Sequence, residues 1–214
     1  MLHVTQLAVG ELAANCYLVA DEEKNAVIID PGAEASYIIE EADRRGLKPL
    51  AVLLTHAHFD HFGAAPEVTA HYQIPLYVHE LDGQMLLSVD KSMASGLGFA
   101  SAYRTPDAKI IRHMKDNETL KFSDELTFLV IHTPGHTPGG CCFRHADILF
   151  SGDTLFRQGV GRVDFPGGNI HDMRASLERL GKLEGDCTVY TGHFASTTLE
   201  FERRFGNYLI PRKL

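Results

Sequence analysis

Apolar side chains along the chain follow two different spacings. Short apolar runs, continuous or alternating, are typical of β-strands. They predict strands at residues 4–9, 16–20, 26–30, 51–55, 74–79, 126–132, 147–151 and 187–191. The polar residues 21–25 predict a hairpin turn. The run at 51–55 is apolar up to its last residue, as expected of a strand that is covered on both faces.

Helical spacing separates several of these strands. The predicted helices have apolar stripes at Ala35, Ile38, Ile39 and Ala42, at Ala65, Val68 and Tyr72, at Ile170, Met173, Leu177 and Leu180, and at Thr198, Phe201, Phe205 and Leu209. Gly46 ends the first helix, and Asn169 and Asp172 predict a capping box at the start of the third. The last helix is expected at about 196–209. This alternation of strands and helices predicts a layered α/β or α+β domain.

Composition restricts the class of protein. A chain of 214 residues, 44% hydrophobic and 22% charged, predicts one globular domain at 1–214. The net charge of −8 argues against nucleic acid and anionic membranes as partners. We expect a cytoplasmic protein, because no leader pattern or bilayer-length apolar stretch is present. The four cysteines, without C-x-x-C spacing, are expected to be buried, reduced thiols.

The densest group of chemically useful side chains is Thr55-His56-Ala57-His58-Phe59-Asp60-His61, at the carboxyl end of the strand at 51–55. His56 and His58 are two positions apart, so their rings can point the same way in extended backbone. Asp60 and His61 come where the chain turns toward the next helix. The spacing offers two imidazoles to one ion and a carboxylate plus an imidazole to a second. It predicts a metal site, since adjacent cationisable rings have no structural benefit without one; the alternative is a loop of solvated histidines.

Three later residues occupy equivalent positions. His136, Asp153 and His193 follow the strands at 126–132, 147–151 and 187–191, each beside a glycine that permits a sharp turn. Open α/β folds place their sites at the carboxyl ends of strands. We therefore expect these side chains to share one edge with the histidine motif.

Other polar positions have simpler interpretations. The histidines expected on the surface or in ordinary hydrogen bonds are His3, His71, His79, His113, His145 and His171. The segment 82–113 has no sustained period. Long irregular segments of compact domains are usually lids, binding loops or interface elements.

The chain resembles the metallo-β-lactamase superfamily and, within it, the single-domain glyoxalase II-like (hydroxyacylglutathione hydrolase-like) hydrolases. The motifs that carry the resemblance are Asp30-Pro31-Gly32, the run from His56 to His61, the loop around His136, Ser151-Gly152-Asp153-Thr154-Leu155-Phe156, Gly161-Arg162-Val163-Asp164 and Gly192-His193. The resemblance implies an αββα four-layer sandwich with two metal ions. It also implies that Asp30 braces the loop that holds the ligands.

The ligand set comes from the same resemblance. It implies that one metal is held by His56, His58 and His136, that the other is held by Asp60, His61 and His193, and that Asp153 bridges them. Five imidazoles and two carboxylates suit Zn²⁺, Fe²⁺ or Mn²⁺, of which we expect Zn²⁺.

The chain departs from the family pattern in two places. Relatives usually read Gly-His-Gly-Pro where this chain has Gly192-His193-Phe194-Ala195. Full-length glyoxalase II enzymes have an added C-terminal helical domain that holds much of the glutathione, whereas 21 residues follow His193 here, since 214 − 193 = 21.

The implied function is hydrolysis of a small acyl thioester such as S-lactoylglutathione by a metal-bridging hydroxide. A thiol with a pKa near 8.5 leaves without a dedicated acid. Asp60 and Asp153 are the catalytic candidates; Asp60 is interpreted as a ligand, with proton transfer as the alternative. Arg162 either binds a substrate carboxylate or is tied to Asp164.

Three other functions fit parts of the pattern. The chain also resembles persulfide dioxygenases, which use one iron at positions matching His56, His136 and Asp153. A nuclease-type phosphodiesterase of the same superfamily is disfavoured by the negative charge. A metal-binding module without catalysis is the remaining alternative.

Overall fold

Two six-stranded sheets are formed by consecutive parts of the chain in the computed structural model, which describes residues 1–96 and 98–209. The strands of the first sheet are β1 (His3–Val9), β2 (Ala14–Ala20), β3 (Asn25–Ile29), β4 (Lys48–Leu53), β5 (Leu76–His79) and β6 (Ile111–Met114). Those of the second are β7 (Thr119–Lys121), β8 (Thr127–His132), β9 (Cys141–His145), β10 (Ile148–Gly152), β11 (Thr188–Thr191) and β12 (Thr197–Thr198).

Neighbouring strands follow the order of the chain in both sheets. In the first, β1, β2 and β3 pair antiparallel, and β3 to β6 then pair in parallel. In the second, only β10 and β11 pair in parallel among the described strands, and α4 (Ile170–Gly181) lies between them in the chain.

Helices cover the outer face of each sheet. The helices are α1 (Ala35–Arg44), α2 (Phe59–Phe62), α3 (Ala65–Tyr72), α4 and α5 (Leu199–Phe205). One apolar cluster joins α1 and α3 to the first sheet, a second fills the space between the sheets, and a third joins α4 to the second sheet. Three such clusters define four layers, which confirms the predicted αββα sandwich.

The predicted strands and helices are all present, with differences at their ends. The last helix spans Leu199–Phe205 and not about 196–209, because Thr197 and Thr198 pair with β11 and the helix ends before Gly206. Thr198 and Leu209 of its predicted stripe therefore lie outside the helix. Ile170 is 44% exposed, although it belongs to the predicted apolar stripe of α4. The short elements β6, β7, β9, β12 and α2 were not predicted.

Asn169 caps α4, as its position in the sequence predicts. Its side chain accepts hydrogen bonds from the backbone N–H groups of His171 and Asp172. The capping box is incomplete, since the Asn169 N–H donates to the carbonyl of Gly135. Ser176 on the same helix donates to the carbonyl of Pro134. The helix therefore holds the loop that carries His136.

Most of the segment 82–113 is irregular and packs on the first sheet, whereas its last residues, 111–113, belong to β6. Its described part has 3₁₀ turns at Met85–Leu87 and Ala108–Ile110. The Phe99 ring stacks on Phe59 with ring centroids 5.7 Å apart, and the Tyr103 ring lies tilted beside Phe59 at 6.0 Å. This segment therefore covers α2, the helical turn within the histidine motif.

The four cysteines are buried and free, as predicted. Among residues 1–96 and 98–209, no helix is both long and apolar enough to cross a membrane.

Candidate metal centre

The candidate residues meet at one edge of the seam between the two sheets. The chain bends at Thr55 and His56 after β4, and His58, in extended conformation (φ −78°, ψ 147°), is the N-cap of α2, whose single turn carries Asp60 and His61. His136 lies between β8 and β9, Asp153 directly follows β10, and His193 lies two residues past the end of β11. Each residue thus stands where the sequence predicts, just past the end of a strand.

His56, His58 and His136 form a first, buried group. Each offers a ring nitrogen within 4.8 Å of the others. His58 Nδ1 lies 2.9 Å from His136 Nε2, and their rings stand nearly perpendicular.

Asp60, His61 and His193 form a second group. His193 Nε2 lies 3.3 Å from both Asp60 Oδ2 and His61 Nε2. His61 Nε2 is 3.7 Å from Asp60 Oδ2. The same edge therefore holds one all-imidazole group and one group that includes a carboxylate.

Asp153 lies between the two groups. Its Oδ2 is 3.5 Å from His136 Nε2 and 3.7 Å from His193 Nε2. Its Oδ1 is 3.5 Å from His61 Nε2. One carboxylate thus faces both groups at once.

These distances suit donors that share an ion. Two nitrogens on a tetrahedral zinc, each bound at about 2.0–2.1 Å, lie about 3.3 Å apart. His56 Nε2, His58 Nε2 and Asp153 Oδ1 are buried without a hydrogen-bond partner. A buried polar atom without a partner is costly, and coordination of an ion removes that cost. The two clusters therefore fit a dinuclear metal site.

The two groups have different electrostatics. Burial lowers the pKa of His58 to about 3 and that of His56 well below its usual value, so both rings are neutral. Burial also opposes the charged form of His61, but Asp60, Asp153 and Asp30 outweigh it and raise its pKa to about 10. A metal ion binding to the second group must therefore displace a proton.

Asp30 holds the second group from behind. Its carboxylate accepts hydrogen bonds from the Thr55 N–H at 2.8 Å and the Thr55 hydroxyl at 2.6 Å. Its Oδ2 lies 3.0 Å from His61 Nδ1, which leaves His61 Nε2 to face Asp60 and Asp153. The contacts are those of a brace for the ligand loop.

Backbone carbonyls orient two other rings, which the sequence did not predict. His136 Nδ1 donates to the carbonyl of Arg162 at 2.7 Å, and His193 Nδ1 donates to that of Leu12 at 3.2 Å. In each ring the Nε2 atom then faces the other candidate ligands, in the position from which it could coordinate an ion. No sequence signal identifies these partners, because a carbonyl is present at every position.

Asp82 is another buried carboxylate near the site, and unlike Asp30 it was not predicted from the sequence. It accepts hydrogen bonds from the Ala57 N–H (3.1 Å), the Thr137 hydroxyl (2.7 Å) and the Gly139 N–H (2.6 Å). Ala57 lies between His56 and His58, and Thr137 follows His136. Asp82 therefore joins the two loops that build the all-imidazole group.

Close packing leaves no room for a side chain at two glycines of the site. A Cβ on Gly192 would stand 2.1 Å from Asp153 Oδ1, and one on Gly161 would stand 1.9 Å from the Asp153 carbonyl oxygen. The position of Asp153 thus depends on glycine in two separate loops.

A cavity of about 530 Å³ opens over both groups. Its apolar walls include Leu12, Met93, Phe156, Val160, Phe165 and Phe194. Arg162 also lines it, but its guanidinium donates two hydrogen bonds to Asp164, at 2.7 and 2.6 Å, and lies 3.9 Å from the centroid of the Phe165 ring. Of its two expected roles, the tie to Asp164 is the one that the structure shows.

Comparison with known proteins identifies the family. Residues 9–193 match the Metallo-beta-lactamase superfamily. The chain belongs to this superfamily.

Curated relatives of similar length include an uncharacterized protein and a named hydrolase. A protein of Aquifex aeolicus described as uncharacterized is 36% identical over 94% of this chain and 94% of its own length. The hydroxyacylglutathione hydrolase GloC of Haemophilus influenzae is 34% identical over 97% of this chain and 98% of its own length.

Three of the solved structures of similar fold have different descriptions. BLEG-1, a B3 metallo-beta-lactamase, has a TM-score of 0.88 and 36% identity, covering 97% of this chain and 99% of its own. TTHA1623, solved in a di-iron-bound form, has a TM-score of 0.84 and 36% identity, covering 96% and 100%. ETHE1 from Myxococcus xanthus has a TM-score of 0.79 and 25% identity, covering 97% and 84%.

Proposed function

We propose that this protein is a dinuclear metal-dependent hydrolase of small acyl thioesters. The observation that carries the proposal is the position of Asp153, which lies within 3.7 Å of a ring nitrogen in each of the two ligand groups at the base of a cavity. A carboxylate between two donor sets is suited to hold two ions close together. His56, His58 and His136 would hold one ion, and Asp60, His61 and His193 the other.

Bound divalent ions would supply a water of lowered pKa and a positive charge for a carbonyl oxygen. The side chains of this protein fix the geometry around that chemistry. Asp30 and the carbonyls of Arg162 and Leu12 orient the rings, and the apolar walls keep bulk water from the acyl group.

The protonation of Asp60 favours a thioester over an ester or an amide. Burial opposes ionisation of this carboxyl, but His61 and His193 outweigh it and hold its pKa well below its usual range. Asp60 is therefore a carboxylate at neutral pH and has no proton to give to a leaving group. A thiol with a pKa near 8.5 can leave as a thiolate without such help.

The name of one relative also supports a thioester substrate. The H. influenzae relative is a hydroxyacylglutathione hydrolase by name, which is a thioesterase. S-lactoylglutathione is accordingly the first substrate to test. The metal is proposed to be zinc, with iron as the alternative that the di-iron-bound TTHA1623 suggests.

A second candidate is a persulfide dioxygenase with one iron. Its support is that His136 and Asp153 lie 3.5 Å apart beside His56, and that ETHE1 has a similar fold. The second group, Asp60, His61 and His193, offers a complete second set of donors, which favours two metals, so the dinuclear hydrolase is preferred.

The test begins with metal quantification on protein purified without chelator. S-lactoylglutathione, glutathione persulfide and a β-lactam are then offered to the same preparation. Two ions per chain and thiol release from the thioester are expected. One iron with oxygen uptake on the persulfide would replace the proposal by the second candidate, and β-lactam turnover alone would replace it by the activity that BLEG-1 is named for.

A further inference from the structure

We infer that Phe194, with Phe156 and Leu12, forms an apolar wall that selects thioesters with an apolar acyl group. The inference rests on the proposed thioesterase activity and names its substrate class. All three residues contact or adjoin His193, so this wall lies on the side of the cavity next to that ring.

Phe194 is the most exposed of the large apolar side chains that line the cavity. It is 74% exposed, and Leu12 beside the same cavity is 41% exposed. The Phe194 ring stands perpendicular to the Phe156 ring at 5.8 Å and lies 6.1 Å from His193. Apolar surface in this position can be covered by a bound ligand.

The backbone of Phe194 supports a role in binding. Its φ is +65°, in the left-handed region of backbone conformation. Residues with a Cβ rarely adopt this region, whereas glycine adopts it without strain. Strained residues persist where their surroundings hold them, and they gather at binding sites. Here a bulky ring occupies a position that suits glycine, directly after a candidate metal ligand.

Buried hydrogen bonds hold this conformation. The side chain of Asn15, which is buried, donates to the carbonyls of Phe194 at 3.0 Å and Thr191 at 2.9 Å. The Thr191 hydroxyl donates to the carbonyl of His193 at 2.6 Å. The loop that presents the ring is therefore fixed before any substrate arrives, which lowers the cost of binding.

Charges around the cavity do not offer an equally good anchor for an anionic substrate. Arg162 is paired with Asp164, and the guanidinium of Arg157 lies over the Phe201 ring at 5.3 Å. Asp60 and Asp153 are on the cavity floor. The wall of Phe194, Phe156 and Leu12 is apolar, so it favours an apolar acyl chain over the polar lactoyl group.

The experiment compares S-acetyl- and S-hexanoyl-N-acetylcysteamine with the metal-loaded enzyme. We expect a higher kcat/KM for the hexanoyl thioester. The ratio of the two values should fall about tenfold in Phe194→Ala, because part of a hydrophobic pocket is removed. Phe194→Gly should show the same fall in an unstrained backbone. Phe205→Ala, which removes a 62% exposed ring outside the cavity lining, should leave the ratio unchanged.

A binding measurement separates this inference from the proposed function. S-hexyl-N-acetylcysteamine, a thioether that cannot be hydrolysed, should bind the wild type in calorimetry and bind the Phe194 variants about tenfold more weakly. If neither thioester is hydrolysed, the proposed function fails while this titration still tests the wall. If both are hydrolysed and the Phe194 variants keep the wild-type ratio, the wall is overturned and the thioesterase stands.

Discussion

Asp30 Oδ2 lies 3.0 Å from His61 Nδ1, although the two residues are 31 positions apart in the chain. Both side chains are almost fully buried. The contact fixes which nitrogen of His61 faces the second ligand group. A residue outside the expected ligand set thus decides how a candidate ligand is presented.

Substituting Asp30 tests this contact. Asp30→Asn replaces one oxygen by a donor, so the Thr55 and His61 hydrogen bonds compete for a single acceptor. We expect metal affinity at the second group to fall about 10- to 100-fold, as for other residues that orient ligands. Calorimetric zinc titration measures this effect. Asp90→Asn, at an exposed position, serves as the control, and an equal affinity in the two variants contradicts the role of Asp30.

Metal binding should strengthen as the pH rises. Without metal, the His61 pKa of about 10 keeps this ring protonated at neutral pH. Release of one proton makes the apparent affinity rise about tenfold per pH unit between pH 7 and 8.5. Competition with a chelator of known protonation measures this slope, and a flat profile contradicts it.

The metal-free fold should respond to pH in the opposite sense. The pKa of His61 is raised in the folded state, so its stabilisation is complete below about 6.5 and is lost as the pH rises toward 10. Urea unfolding of chelated protein at pH 6, 8 and 9.5 measures this contribution. If the free energy of unfolding increases between pH 6 and 9.5, the charge on His61 is not stabilised by Asp60, Asp153 and Asp30.

Asp153→Ala should remove the carboxylate that faces both groups. We expect loss of both ions and of thioester hydrolysis, with the circular dichroism spectrum of the folded protein retained. Atomic absorption and thiol release provide the two measurements. If the variant keeps wild-type metal content and turnover, Asp153 is not a shared ligand.

Asp82→Ala should destabilise the fold and the first ligand group together. It leaves two buried N–H groups and a hydroxyl without an acceptor, at about 1–3 kcal/mol for each unsatisfied group. We expect a loss of several kcal/mol in urea unfolding and weaker zinc binding. Asp90→Ala, in the same segment but exposed, should change neither value.

Glycine should be more stabilising than alanine at one position and less stabilising at another. At Phe194, with φ +65°, the Phe194→Gly variant should be more stable than Phe194→Ala by about 1 kcal/mol and should therefore unfold at a higher temperature. Ala175 is exposed inside α4, where Ala175→Gly should lose about 1 kcal/mol. Thermal unfolding measures both pairs, and the same ranking at both positions would show that Phe194 is not in the left-handed region.

The sequence predicted the features that are local in the chain. The histidine motif and the three residues after later strands could be placed at one edge because strand ends and turns leave local patterns. Asp82 and the carbonyls of Leu12 and Arg162 could not be found, since their partners lie far away in the chain and their residue types carry no signal. The tie between Arg162 and Asp164 was one of two open alternatives, because two residues of spacing show that a contact is possible but not that it forms.

The candidate ligands are divided between the two sheets. His56, His58, Asp60 and His61 follow a strand of the first sheet, whereas His136, Asp153 and His193 follow strands of the second. Ions held by all seven would act as non-covalent cross-links between the first and second parts of the polypeptide. Sheet association and ion binding would then be one linked equilibrium, so a chelator would loosen the seam as well as stop the chemistry.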